Sequence, residues 1–350
     1  MYKKNLIGLN LDEINKIILK YKQPKYRAKQ IFQWIYKGIY SIDEMLNLPN
    51  EIREQLKDKY EIYRLRVVKK YQDPEDDTIK LLFALKDKNI IECVVMQYKY
   101  GNTICISTQV GCNMGCIFCA STTEGKVRNL DAGEMMDQVI KAQEIIDDKI
   151  SNIVLMGSGE PLDNLNEVLK FINLVNNQQT LNIGQRHITL STCGIVPKIY
   201  ELADKQLQIN LSISLHTAND IKRKEMMPIA KKYSIRDLID ACTYYINNTN
   251  RRVTFEYALI KDKNDTLDDA IQTGKLLKGM LCHVNLIPIN SIKEKDYEKS
   301  LDSNIKIFKE KLESFGIPTT IRKEMGSSIN AACGQLRKGY LNLSEDENNL

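Results

Sequence analysis

The chain has no run of about 18 apolar residues, which excludes a readable transmembrane helix. Its opening residues, Met1-Tyr2-Lys3-Lys4, lack the apolar stretch and small-residue cleavage site of a secretory signal. A cytoplasmic location and no membrane partner are therefore expected. Internal repeats and low-complexity tracts are also missing, so solenoids and tethering linkers are set aside. What is present is a globular composition: 350 residues, 43% of them hydrophobic, enough for a large core, as one domain or as a large domain with a small appendage. Nine cysteines in such a chain argue for metal or redox chemistry rather than a disulfide framework.

Charge is uneven. Residues 1–70 hold 16 Lys/Arg against 8 Asp/Glu, a net +8 in a chain whose total is +5. A basic front segment suits a polyanion, although a solvated lysine-rich helix surface has the same signature. Helical spacing runs from Leu11 through Tyr21, where Pro24 ends it, then covers about 26–36 and a stretch after Pro49; β-like patterns follow at 80–85 and 90–96. From residue 103 strands and helices alternate. Strands are expected at 104–109, 153–156, 187–191, 209–215, 253–259, 283–288 and 319–322. Helices are expected near 132–147, 164–176, 198–204, 235–247, 266–278 and 302–314. Repeated β-then-α order implies parallel strands with right-handed crossovers. The reading is α/β, a partial (β/α)6 barrel at 104–343. Before it stand a helical basic appendage at 1–70 and a β-rich connection at 71–103; an acidic tail follows at 344–350. In such folds chemistry gathers at the C-terminal ends of the strands.

Just after the first barrel strand stands Cys112-Asn113-Met114-Gly115-Cys116-Ile117-Phe118-Cys119. Three thiolates so spaced can hold three irons of a cubane and leave the fourth iron open. Zinc would want a fourth ligand, and neither His nor Cys follows at a usual spacing. Directly after the second strand comes Met156-Gly157-Ser158-Gly159-Glu160-Pro161, where glycines allow close backbone approach and a carboxylate can pair with an ammonium. Polar residues also arrive at three other strand ends: Ser191, Ser214-Leu215-His216 and Asn290. Cys242 and Cys282 read as core hydrophobes, as do Cys93 and Cys193.

The cysteine run and the Gly-Glu-Pro turn resemble the radical S-adenosylmethionine superfamily. That resemblance implies a 4Fe–4S cluster on Cys112, Cys116 and Cys119, and S-adenosylmethionine held by Gly159, Glu160, Ser191, Ser214, Leu215, His216 and Asn290. Over nearly its whole length the chain further resembles the dual-specificity rRNA/tRNA adenine C2-methyltransferases. The match runs through Tyr26-Arg27-Ala28-Lys29-Gln30-Ile31-Phe32 and Trp34, Gly101-Asn102-Thr103, Arg186-His187-Ile188-Thr189, Ile213-Ser214-Leu215-His216 and Ala331-Ala332-Cys333-Gly334-Gln335-Leu336. It implies that Cys333 takes a methyl group from one cofactor molecule, that a radical from a second activates it for addition to the base, and that Cys105 resolves the protein–RNA adduct through a transient disulfide with Cys333. Glu92 matches the family's proton acceptor. Implied partners are 23S rRNA, tRNA and a reductant such as flavodoxin; a monomer is expected, since an enzyme bending around RNA needs no partner surface.

This sequence departs from the family at three places. Ser158 stands where methionine is usual, and Ser328 and Asn330 stand where aspartates are more often found. The C8-methylating antibiotic-resistance relative shares the cluster and both reactive cysteines; Pro161 favours the C2 branch. A non-catalytic iron–sulfur or zinc RNA-binding protein would leave Cys105, Cys333 and the Gly-Glu-Pro turn idle. A glycyl-radical activase would need no second cysteine pair.

Overall fold

The computed structural model describes residues 3–289, 297–331, 334–336 and 339–340. Three helices come first: α1 (Leu11–Lys20), α2 (Tyr26–Ile35) and α3 (Asn50–Lys59). A reciprocal cap starts α1: Asn10 Oδ1 accepts from the Glu13 N–H at 2.9 Å, and Glu13 Oε2 accepts from the Asn10 N–H at 2.8 Å. Ile14, Ile17 and Ile18 of α1 and Ala28, Ile31, Phe32 and Ile35 of α2 are buried, as their helical spacing requires.

An antiparallel ladder follows, made of β1 (Arg66–Gln72), β2 (Ile79–Ala84) and β3 (Asn89–Tyr98), and it continues antiparallel into β4 (Gly101–Cys105). On its other edge β4 opens a parallel run in chain order: β5 (Ile150–Leu155), β6 (Ile188–Thr192), β7 (Asn210–Ser214), β8 (Val253–Leu259), β9 (Cys282–Pro288) and β10 (Thr319–Ile321). The crossovers are α4 (Ala132–Ile146), α5 (Leu165–Asn176), α6 (Val196–Asp204), α7 (Asp220–Met226) with α8 (Ile235–Thr249), α9 (Leu267–Leu277) and α10 (Asp302–Ser314). This is the α/β partial barrel of six β/α units that the alternation implied, with β10 as a short last strand. Among the described residues, no helix is long and apolar enough to cross a membrane.

Two elements differ from expectation. The first barrel strand stops at Cys105 rather than Gln109, because the N–H groups of Thr108 and Gln109 both donate to Ser158 O, at 2.9 and 3.1 Å, instead of to a neighbouring strand. Helix α7 lay unread: it has seven residues, too few for a periodic pattern, and is set by its cap, where Asn219 Oδ1 accepts from the Ile221 and Lys222 N–H groups.

Strand alternation divides the β2–β4 region into two faces. Ile79, Leu81, Phe83, Ile91, Cys93, Val95 and Ile104 enter the main core, which also holds Cys242 and Cys282. Val94, Met96 and Cys105 face the other way and pack with Met325, Ala331 and Leu336 of the segment after β10. The helical front segment shares the main core with the barrel. Its docking on α4 is close: a Cβ on Gly133 would lie 2.3 Å from Ile7 O, and one on Gly8 would lie 2.4 Å from Gly133 N. Arg64 Nε meets Asp137 Oδ1 at 2.5 Å with both side chains buried, and Lys170 of α5 pairs with Glu13 at 2.8 Å.

Candidate active site

The C-terminal ends of β5 to β9 open onto one cavity. Cys112, Cys116 and Cys119 line one wall; Gly157, Gly159, Glu160, Ser191, Ser214 and His216 line the others. Five of the expected cofactor contacts are thus brought together. Leu215 is not among the lining residues: its side chain is fully buried in the main core, and its backbone is spent on Glu256 O and the Arg223 guanidinium. Asn290 and Cys333 lie outside the described residues.

The cysteine loop is held by its backbone. The Ile117 N–H donates to Met226 O at the end of α7 (3.0 Å), and the Thr122 hydroxyl donates to the carbonyls of Cys116 and Cys119. Burial pushes the Cys112 thiol up to about 12, and it drives Cys116 and Cys193 in the same direction. Bare thiolates are therefore disfavoured in this pocket, and a metal is the partner that would hold them ionised. Among the described residues no three Cys, His, Asp or Glu groups converge on a single ion. A cubane asks for one thiolate per iron, and thiols spread along one wall suit that demand.

The opposite wall is built by two glycines. A Cβ on Gly157 would lie 2.6 Å from Ile106 O; one on Gly159 (φ +109°) would lie 2.6 Å from Gln109 Cβ. Gln109 in turn accepts the Glu160 N–H at 2.9 Å. The Glu160 carboxylate is buried and receives one backbone N–H on each oxygen, from Leu162 at 3.0 Å and Cys193 at 2.8 Å. Burial pushes its carboxyl above the ordinary range, opposed by those hydrogen bonds. His216 (φ +58°) accepts the Ala258 N–H on Nδ1 at 2.9 Å, and burial lowers its pKa to about 3. The neutral ring must then carry its hydrogen on Nε2, as a donor. Phe118 of the cysteine loop packs edge-on against this ring at 4.6 Å. The donor set fits the cofactors of a radical enzyme: buried thiols for iron, and a carboxylate, hydroxyls and an imidazole N–H for a polar zwitterion.

A second cavity adjoins the first through Cys119, Met156, Gly157, Ile287, Arg322 and Gly334. It is lined by Val94, Met96, Cys105, Met325, Ala331, Gly334 and Leu336, so Cys105 shares it with the described residues of the segment after β10. That segment is tied on both flanks. Ser328 donates its hydroxyl to Asp73 at 2.7 Å and Gly326 its N–H to Asp76 at 2.9 Å; Gly334 O and Leu336 O accept from Ala120 N–H and Ser121 Oγ, each at 2.7 Å. No disulfide joins any two of the described cysteines. Glu92 lies on the same strand face, paired with Lys80 at 3.0 Å.

Sequence reasoning passed over several residues here. Arg223 is fully buried and donates to the carbonyls of Cys193 (2.9 Å), Ser214 (3.0 Å) and Leu215 (3.2 Å), lacing the ends of β6 and β7 to the helix that also pins the cysteine loop. Its surroundings in sequence are lysines, so nothing marks it out. Glu256 had a signal, a lone carboxylate inside the apolar strand 253–259. It is buried at the cavity floor and accepts from Ser212 Oγ and Asn285 Nδ2. Arg322, which lines both cavities, and Cys193 beside Glu160 complete the set.

A barrel of this kind with this loop at its mouth defines a radical S-adenosylmethionine enzyme, and residues 106–274 match the family described as the radical SAM superfamily. Residues 4–62 match the ribosomal RNA large subunit methyltransferase N-terminal domain. The chain is 58% identical to a probable dual-specificity RNA methyltransferase RlmN of Clostridium novyi, over 97% of this chain and 99% of that protein. It is 56% identical to that of Clostridium beijerinckii, over 98% and 97%. A solved radical SAM methyltransferase from Sphaerobacter thermophilus superposes with a TM-score of 0.90 at 40% identity, covering 95% and 99% of the two chains. The chain belongs to the RlmN family of dual-specificity radical SAM RNA methyltransferases. It is an enzyme of RNA methylation, and its superfamily implies a 4Fe–4S cluster and S-adenosylmethionine.

Proposed function

We propose that this enzyme methylates C2 of an adenine in 23S rRNA and in tRNA, acting in the cytoplasm as a monomer with a flavodoxin-like reductant. The observation that supports the reading is the adjacency of the two cavities: one lined by the cysteine triad and the Gly-Glu-Pro turn, the other by Cys105 with Ala331, Gly334 and Leu336, which neighbour Cys333 in sequence. Cys112, Cys116 and Cys119 would hold the cluster by three thiolates, and Gly159, Glu160, Ser191, Ser214, His216 and Asn290 would bind the cofactor, with the Leu215 backbone at their edge. When bound, the pair supplies a methyl donor and, on reduction, a hydrogen-abstracting radical.

The chain's own residues do the rest. Cys333 carries the methyl group as a nucleophilic thiol and becomes the point of attachment to the base. Glu92 accepts the ring proton. Cys105 attacks the Cys333 sulfur to release the methylated base, leaving a Cys105–Cys333 disulfide for reduction. Neutral His216 and the fixed Glu160 orient the cofactor and exclude water, and the exposed lysines of α1 and α2 would meet RNA phosphate. Nucleoside mass spectrometry after anaerobic reaction with cofactor, reductant and 23S rRNA tests this. A 2-methyladenosine peak lost in Cys333→Ala is expected. An 8-methyladenosine peak would overturn the choice of carbon, and neither product would overturn the substrate.

A further inference from the structure

The strand face that carries Cys105 also carries a buried ion pair. Lys80 lies opposite Val94 and Leu82 opposite Glu92, so Lys80 and Glu92 are diagonal neighbours on one face of β2 and β3, within reach for long side chains. Lys80 Nζ sits 3.0 Å from Glu92 Oε1, with both side chains about nine-tenths buried. The same ammonium donates to Asn330 O at 3.2 Å, three residues before Cys333. Val94, opposite Lys80 on β3, pairs on its other side with Cys105. One cation thus joins the carboxylate of β3 to the segment that crosses the second cavity. An ion pair at this depth does little for stability, since desolvation cancels most of the attraction and apolar residues of equal volume would serve the fold as well. Its use is better sought in what it does to its two partners.

We propose that Lys80 is a positioning residue for methyl transfer, holding Glu92 as a carboxylate ready to take a proton and fixing the Asn330 carbonyl, and so the Cys333 segment, beside it. This rests on the reading of Glu92 as proton acceptor. In that step the proton leaves the ring carbon for a Glu92 oxygen, and the C–H electron pair stays with the base. A carboxyl buried without a cation is driven toward its neutral form, which cannot accept that proton. Among the described residues, the other charged or titratable groups around the pair include Cys105 on β4, Cys93 on the far face of β3, Lys69 and Tyr71 of β1, the tyrosine ring centre lying 5.9 Å from Lys80 Nζ, and Arg322, Lys323 and Glu324 on the cavity lining.

The test uses the full-length, anaerobically reconstituted enzyme. Methyladenosine formation is followed against pH for wild type, Lys80→Met, Lys80→Gln, Lys80→Arg and Glu92→Gln, with methyl loading of Cys333 read by intact mass. Loading should survive in Lys80→Met and Lys80→Gln, while the acid limb of the rate profile moves up by about 1–3 pH units. At a fixed pH on that limb turnover then falls about 10-fold for each unit the limb moves, and Lys80→Arg restores the limb. Lys80→Gln keeps a donor for both partners, so it guards against a methionine variant that does not fold. An unmoved acid limb in folded Lys80→Gln overturns the proposal, as does Lys80→Arg behaving like the neutral variants. Full turnover in Glu92→Gln overturns the reading of Glu92 instead, whatever the lysine variants do.

Discussion

Replacing Gly159 by alanine puts a methyl group where the structure has no room. The new Cβ would lie 2.6 Å from Gln109 Cβ and 2.8 Å from both Gln109 Cγ and its backbone nitrogen. Gln109 cannot step aside cheaply. Its N–H donates to Ser158 O at 3.1 Å, its Oε1 accepts the Glu160 N–H, and its Nε2 donates to Asn129 and Asp163 at 2.8 and 2.9 Å. The backbone conformation adds its own cost, since φ is +109°. Positive φ strains an alanine by about 1–2 kcal/mol, and forcing a methyl into a packed site costs about 1–3 kcal/mol more. The expected loss is therefore about 2–5 kcal/mol of stability. Gly279 supplies the control: its φ is +81°, and a Cβ there meets nothing within 4 Å. Gly279→Ala should lose only the conformational part, about 1–2 kcal/mol. Denaturant unfolding of the two variants beside wild type measures both, and cofactor affinity by anaerobic titration should fall for Gly159→Ala alone. If Gly159→Ala proves no less stable than Gly279→Ala, the close approach between the two loops is wrong and the account of this wall fails.

Alanine at Cys112, Cys116 or Cys119 should each abolish the brown absorbance of the reconstituted protein; normal iron content in any of them removes that residue from the ligand set. Cys105→Ala should leave RNA covalently attached to the protein, seen as a slow band on denaturing gels, whereas clean turnover without that band would retire Cys105 as the resolving thiol. His216 binds fewer protons folded than unfolded between pH 6.5 and its lowered value of about 3, so stability rises with pH across that window, and acidification from neutrality to pH 5 should cost about 2 kcal/mol. His216→Asn, which tolerates positive φ, should flatten that dependence in thermal melts; a slope equal to wild type would show that another group titrates there. Reversing the exposed Lys25, Lys29 and Lys37 to glutamate should weaken RNA binding and reduce the steepness of its salt dependence, by up to about 0.7–0.9 in log–log slope per lost phosphate contact. An unaltered slope would return those lysines to the solvated-surface reading.

Wherever a long periodic pattern or a tight motif existed, the sequence was legible. Strand 253–259 and helix 302–314 coincide with β8 and α10 to the residue. The triad and the Gly-Glu-Pro turn do open onto a common cavity, because a parallel α/β sheet delivers every strand end to one side. What escaped detection depends on partners far apart in the chain. Lys80 reads as one cation in an apolar strand until Glu92 and Asn330 are seen beside it. Arg223 looks like part of a basic helix until its donors are found on three carbonyls. The front segment reads as a detachable appendage by charge and helicity. Its core, however, is continuous with the barrel, and Gly8 and Gly133 touch backbone to backbone, so removing residues 1–70 would expose the flank of α4. Charge reversal on its surface is for that reason the sounder test of RNA binding.

The departures at Ser328 and Asn330 have a physical explanation in the same contacts. Ser328 gives its hydroxyl to Asp73 Oδ2 at 2.7 Å and its N–H to the same oxygen at 3.3 Å, which holds the Asp73 carboxyl below its ordinary range. An aspartate at position 328 would face that carboxylate with a like charge and no side-chain donor. The acidic partner of this contact therefore stands on the β1–β2 turn, and serine is the residue that can meet it. Asn330 adopts φ +52°, a conformation that asparagine takes more readily than most residues, and turns its carbonyl to Lys80. On the far flank, Ser121 and Leu336 are 215 residues apart yet bonded, and Ala120 N–H holds Gly334 O, so the anchors begin one residue after Cys119. Residues 328–330 thus answer to Asp73 and Lys80, and Gly334 and Leu336 answer to the residues that follow Cys119. Ser328→Asp tests the first of these contacts: adding one carboxylate against Asp73 should slow methyl loading of Cys333 while leaving iron content unchanged, and Asp73→Asn in the same chain should restore it.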